Sequence, residues 1–185
     1  SSVISRFGVL NYKANGDYFS SLVSSIIGQQ LSNKAADTIY SRFLKLFPKG
    51  KYSPELILEV SLDQLRGIGT SWAKAKSLHD LSQKILDGTI QLNKLEAMSD
   101  EEVISHLVQV KGIGRWTAEM KLMFTLHRPD ILPLDDVGIQ NAMVKLYGLN
   151  RKHKAYQKHM EKIARPWQPY RTVACWYLWK SLDNQ

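Results

Sequence analysis

Between Val110 and Asp136 the chain reads VKGIGRWTAEMKLMFTLHRPDILPLDD, and this stretch holds two groups suited to chemistry on a sugar–phosphate polymer. Gly112-Ile113-Gly114 forms a tight turn between two helical patterns. Asp135-Asp136 supplies two adjacent carboxylates about twenty residues further on. Amides at a helix start lack intrahelical partners and carry the positive end of the helix dipole. A phosphate oxygen satisfies both. Glycine permits positive φ and lets another backbone come close. Lys111 and Arg115 flank the turn and add positive charge, and such contacts position a duplex without reading its bases. A carboxylate beyond the clamp can stabilise positive charge on a sugar as a bond breaks, and can orient water. The same features have plainer uses: a GxG turn joins helices, and Asp caps them.

The rest of the composition narrows the options. Cys175 is the one cysteine, which excludes internal disulfides, a four-cysteine zinc site and a cysteine-ligated iron–sulfur cluster. Its apolar setting, VACWYLW, assigns it to core packing. The five histidines form no HxxxH or HExxH pair. A net charge of +8 favours a polyanionic partner. No apolar run approaches the roughly 20 residues that span a bilayer, and the N-terminus has no signal-peptide core. The expectation is an intracellular protein with no membrane partner.

Helices must position these groups, because helical periodicity dominates and no run of strands is visible. Phe19, Leu22, Val23, Ile26 and Ile27 share one helix face. Ser32 caps a second helix. Ser53-Pro54 opens a short one, and Ser61–Gln64 fits a capping box for another. Thr70 or Ser71 starts a helix to about Leu86. Ser99–Glu102 is a second capping box, opening a helix that Gly112-Ile113-Gly114 ends. Helices are expected from Arg115 to about Leu126, after Asp136, from Lys152 to Ile163, and after Pro169. Leu65-Arg-Gly67-Ile68-Gly69 echoes Val110-Lys-Gly112-Ile113-Gly114, as a duplicated hairpin or as an ordinary helix joint.

VKGIGRWTA resembles the hairpin of the helix-hairpin-helix DNA glycosylases. GIGRWTA, LPLDD, PYRTVACWYLW and SSIIGQQLSNKAA are most similar to the 3-methyladenine DNA glycosylase II group. The matching segments run from about residue 20 to 180. The resemblance implies an all-α, two-lobed fold with the active-site cleft between lobes. The central lobe would be about 36–126, and the other would combine 1–35 with 127–185. It implies a monofunctional glycosylase that excises alkylated purines from duplex DNA. The substrates would be 3-methyladenine and, at its wider limit, 7-methylguanine. A non-catalytic damage-binding module of the same fold is the alternative.

By the same resemblance Asp136, twenty residues after Trp116, is the catalytic carboxylate, and Asp135 keeps the capping role. Lys111, Gly112, Ile113, Gly114, Arg115 and Thr117 form the phosphate-binding hairpin. Trp116 stands where bifunctional members carry a Schiff-base lysine, so the product would be an abasic site without strand cleavage. Lys111 and Lys121 are not at that position and are read as phosphate-facing or solvated. Trp116, Tyr170, Met120 and Gln29 match the base pocket. Tyr170 replaces a tryptophan of some members, which leaves the range of bases open. Trp176 and Trp179 are assigned to core packing. Gln30 matches the wedge that fills the stack after base flipping, with Leu31 as the other candidate. TSWAKAK, residues 70–76, is read as either a backbone contact or a solvated basic face. No cofactor is required, although hairpins of this family hold a monovalent cation, Na or K. Here it would lie on the carbonyls of Val108, Val110 and Ile113. The expected partner is damaged double-stranded DNA, bound by a monomer.

Overall fold

The computed structural model describes residues 17–182. The N-terminal stretch read for a signal peptide lies largely outside the described residues. Every regular element among them is helical, as the periodicity requires. The chain divides into two compact units. Among the described residues, one runs from Asp17 to Lys121 and the other from Leu122 to Leu182. This differs from the expected lobes: residues 17–35 fall in the first unit, and the second begins at Leu122 rather than after residue 126. The reason for the first difference is packing. Helix α1 (Tyr18–Gly28) turns Leu22, Val23, Ile26 and Ile27 into the core of the first unit and packs on α2 (Asn33–Leu44) and α5 (Trp72–Leu86).

In this first unit the capping signals act where they stand. Ser32 accepts from the Ala35 amide at the start of α2. Ser53 caps α3 (Pro54–Glu59), with proline in its first turn. Both capping boxes close in both directions: Ser61 with Gln64 on α4 (Leu62–Gly67), and Ser99 with Glu102 on α6 (Asp100–Leu107). Phe43 anchors an aromatic cluster, 4.9 Å from Phe47 and 5.0 Å from Tyr52. Helix α7 (Arg115–Phe124) carries the chain into the second unit.

The echo between Leu65–Gly69 and Val110–Gly114 does not extend to backbone geometry. The positive φ falls on Gly69 in the first and on Gly112 in the second. The two joints therefore turn by different routes.

The second unit packs α10 (Arg171–Lys180) on α8 (Val137–Tyr147). Ile139, Met143, Met160, Cys175 and Leu178 are buried. Gly148, at φ +66, ends α8 in the left-handed conformation that glycine tolerates. Helix α9 runs over Tyr156–Ala164, four residues later than the expected start at Lys152. Side-chain acceptors explain the delay. Asn150 takes the Lys152 amide at 2.9 Å, and His153 Nδ1 takes the Ala155 amide at 3.1 Å, which turns the chain before the helix can begin. At the other end of the unit Arg171 forks onto Asp130, at 2.7 and 2.9 Å. Thr172 Oγ1 donates to the Arg128 carbonyl and accepts the Ile131 amide. These contacts bind the segment before the Leu134-Asp135-Asp136 turn to the start of α10.

Candidate active site

In the first unit the hairpin is built around Gly112. Its φ is +80, and a Cβ there would stand 2.5 Å from Ser77 Oγ on α5. Glycine is thus demanded both by conformation and by close packing on α5. Ile113 is buried and pins the turn to the core. Gly114 is different: a Cβ on it would meet nothing within 4 Å, so this side of the turn is open to an incoming backbone. The first helical bond of α7 runs from the Ala118 amide to the Gly114 carbonyl. The amides of Gly114 and Arg115 therefore precede the intrahelical ladder. The amides of Lys111 and Ile113 are engaged at home, by Asp80 Oδ2 at 2.8 Å and by the Val110 carbonyl at 3.0 Å.

The charge expected at this turn is mostly spent inside the protein. Arg115 reaches Glu101 through both terminal nitrogens, at 2.6 and 3.1 Å, and Glu119 through Nε at 3.1 Å. Glu119 is buried, and a buried carboxylate needs a cation beside it. The pairing holds the Glu101 carboxyl below its usual range. Lys111 stays exposed, 3.7 Å from Asp80. Asp80 also takes Lys84 at 2.8 Å. Burial pushes the Asp80 carboxyl up, but the Lys84 and Lys111 donors outweigh it and hold it down.

Beside the hairpin lies a cavity of about 720 Å³, lined by Gln29, Gln30, Leu31, Lys74, Gly112, Trp116, Thr117 and Met120, among others. That volume is within the usual range of small-molecule sites, about 300–1,000 Å³. Trp116, one of its lining residues, is 45% exposed. Gln29 lines the wall, but its amide also donates to the Gly112 carbonyl at 2.8 Å, tying the end of α1 to the hairpin. Gln30 follows with φ +58, a left-handed conformation that a non-glycine residue adopts only under constraint. Lys74 supplies part of that constraint. Its Nζ donates to the carbonyls of Ile27 and Gln29 at 2.8 and 2.7 Å, and burial lowers its pKa. Of the TSWAKAK segment, Lys74 is therefore engaged within the protein, at the edge of the cavity. Lys121 is likewise turned inward. It donates to the Ser21 carbonyl and hydroxyl, and burial brings its pKa down to about 8.

The second unit holds the other two candidates. Asp136 is buried and is itself the cap of α8: its Oδ1 accepts the Ile139 amide at 2.7 Å. The capping role expected of Asp135 thus falls to Asp136. Asp135 is exposed and accepts from Gln157 at 2.8 Å. The same Oδ1 of Asp136 accepts the indole N–H of Trp179 at 2.8 Å, so Trp179 does more than fill the core. Tyr170 stands 63% exposed at the start of α10, nine residues before Trp179 and hence about 13 Å from it along the helix axis. Sequence reasoning missed Trp179 as a partner of Asp136. One signal pointed to it: Gly138 lies in the first turn of a helix, where glycine costs about 1 kcal/mol and no turn requires it.

Comparison with known proteins is consistent with this layout. The profile of the HhH-GPD superfamily base excision DNA repair protein matches residues 23–169. DNA-3-methyladenine glycosylase 1 of Schizosaccharomyces pombe is 38% identical over 180 residues, covering 92% of this chain and 77% of that protein. The putative DNA-3-methyladenine glycosylase YfjP of Bacillus subtilis is 35% identical, covering 95% of this chain and 61% of that protein. The solved structure of the S. pombe 3-methyladenine DNA glycosylase Mag1 in complex with abasic DNA superposes with a TM-score of 0.82. It is 34% identical and covers 98% of this chain and 90% of that one. The chain therefore belongs to the HhH-GPD superfamily of base excision DNA repair proteins.

Proposed function

We propose that this protein is a monofunctional DNA glycosylase of base excision repair. It flips an alkylated purine such as 3-methyladenine out of duplex DNA and hydrolyses its N-glycosidic bond, leaving an abasic site. The observation that carries the reading is Asp136, a buried carboxylate oriented at a helix start twenty residues after the Trp116 of the hairpin. The names of its relatives and the abasic-DNA complex of Mag1 support the same reading.

In this mechanism the C1′–N bond breaks and its electron pair leaves with the base. The Asp136 carboxylate stabilises the positive charge that develops on the sugar. Water adds at C1′ and gives up a proton, with Asp136 as the acceptor. The amides at Gly114 and Arg115 hold a phosphate of the damaged strand. The Trp116 face attracts a cationic alkylated purine by roughly 0.5–2 kcal/mol. Trp116 has no amine, and Lys121 on the same helix is turned inward to Ser21. A Schiff base, and with it strand cleavage, therefore does not follow base loss. A monovalent cation on the Val108, Val110 and Ile113 carbonyls would add positive charge beside the phosphate. The enzyme acts as a monomer, inside the cell, on double-stranded DNA.

The test is base release from methylated duplex DNA by the wild type and by Asp136→Asn. The expected result is free 3-methyladenine and unbroken abasic strands from the wild type, with release at least about a hundredfold slower from the variant. Equal release by both proteins would remove Asp136 from the chemistry. Tight binding with no release by either would favour a damage-binding module.

A further inference from the structure

Asp136 is held from two directions. The Ile139 amide reaches its Oδ1 from within α8 at 2.7 Å. The Trp179 indole N–H reaches the same oxygen from α10 at 2.8 Å, across 43 residues of sequence. A carboxylate is planar, so two donors fixed on one oxygen also fix the direction of the other. The cap bond holds the side chain from within α8. The indole adds a restraint from outside the helix.

The surroundings are shaped for this contact. A Cβ on Gly138 would stand 2.7 Å from Trp179 Cδ1, 2.8 Å from Nε1 and 3.1 Å from Asp136 Oδ1. Gly138 has no positive φ, so its backbone does not demand glycine. The indole does. Phe124 bounds the indole from another side, its ring centroid 5.8 Å away. The register of α10 is set at its far end by the Arg171–Asp130 fork and by Thr172. The end of α10 thus presents the Trp179 donor to the carboxylate.

We propose that Trp179 is the positioning residue for Asp136, and that Gly138 is glycine so that the indole can reach the carboxylate. This rests on the reading of Asp136 as the catalytic carboxylate. Trp179 acts through Asp136 and not on the base: it fixes where the anion stands relative to the sugar. Charge-assisted hydrogen bonds are the stronger kind, so loss of this one is expected to be felt in the chemical step.

The experiment uses Trp179→Phe, which keeps a ring and removes the donor. Single-turnover base release should slow about 10- to 100-fold, while the Kd for abasic duplex stays within about twofold of wild type. Gly138→Ala should do the same by displacing the indole, and it serves if Trp179→Phe folds poorly. The indole N–H resonance of Trp179, assigned by its loss in Trp179→Phe, should lie downfield in the wild type and move upfield in Asp136→Asn. In the Asp136→Asn background Trp179→Phe should slow the residual rate no further. Wild-type rates in both Trp179→Phe and Gly138→Ala would overturn the proposal, as would additive losses in the double variant. If Asp136→Asn alone releases base at the wild-type rate, the catalytic reading fails on its own. The shifted indole resonance would then stand as a packing contact only, and the positioning role would be overturned with it.

Discussion

Lys121 lies five residues after Trp116 on α7, yet its amine is buried against Ser21 with a pKa of about 8. Because the folded value lies below the unfolded one near 10.4, the unfolded chain binds the proton more tightly. Burial of the charged amine is therefore a full penalty below pH 8 and is relieved as pH rises toward 10.4. Lys121→Met removes that dependence. Urea melts of the two proteins should show the stability gap changing in favour of the wild type by about 2–3 kcal/mol between pH 7 and pH 10. Parallel profiles would mean that the amine is not depressed. Single residues were unevenly legible in the sequence. Asp136 and Trp116 are assigned by the family resemblance, whereas the apolar setting of Cys175 suffices to place it in the core, where it is buried. Arg115 could not be placed, because Glu101 sits 14 residues upstream on another helix and nothing local marks the pair. Trp179 could not, because its partner is 43 residues away and aromatic residues on a last helix are ordinarily core.

At the scale of elements, the turn between α1 and α2 concentrates the constraint. Lys74 holds the carbonyl end of α1, where a cation is also favoured by the dipole. Gln29 bonds the hairpin carbonyl at Gly112. Between these anchors Gln30 is kept at φ +58, at a cost of order 1–3 kcal/mol for a non-glycine residue. Such a cost is retained where an outward side chain has a task, which favours Gln30 over Leu31 as the wedge. Gln30→Gly should leave the melting temperature unchanged or raise it, yet slow base release and reduce the fluorescence rise of 2-aminopurine placed beside the lesion. Leu31→Ala should have the smaller effect on both signals. The reverse order would make Leu31 the wedge. The break itself was readable, since Ser32 is a strong cap and the apolar face stops before it. The left-handed residue was not, because the strain comes from Lys74 and Gly112, both distant in sequence. Helix α9 shows the converse: its apolar face was legible, but its first turn was lost to acceptors on Asn150 and His153.

Across the whole molecule the +8 net charge is unevenly spread. Residues 15–121, which hold the hairpin, carry 13 Lys and Arg against 12 Asp and Glu. Residues 122–185 carry 10 against 5, and most of that surplus lies between Arg151 and Arg165. Net charge was legible by counting. What counting could not tell is that Arg115 and Lys84 are matched internally by Glu101, Glu119 and Asp80. The hairpin unit is therefore nearly neutral, and the phosphate contacts proposed for the hairpin rest on its backbone amides and on Lys111. Long-range attraction to a polyanion must come chiefly from the other unit, because steering follows the summed charge. Exchanging Lys152, Lys154 and Lys158 for Gln lowers the net charge by three without touching either the hairpin or Asp136. Its expected effect is slower association and weaker binding to undamaged duplex, with base release at saturating enzyme unchanged. Arg115→Ala should leave the log–log salt slope of binding as it is, since that guanidinium is already neutralised. Lys111→Ala should make the slope shallower by about one, the value for one lost phosphate contact. A salt titration of the four proteins on one undamaged duplex would check all of this. If Arg115→Ala proved to carry the largest change in slope, the Glu101 pair would have to open on binding, and the hairpin would be an electrostatic clamp after all.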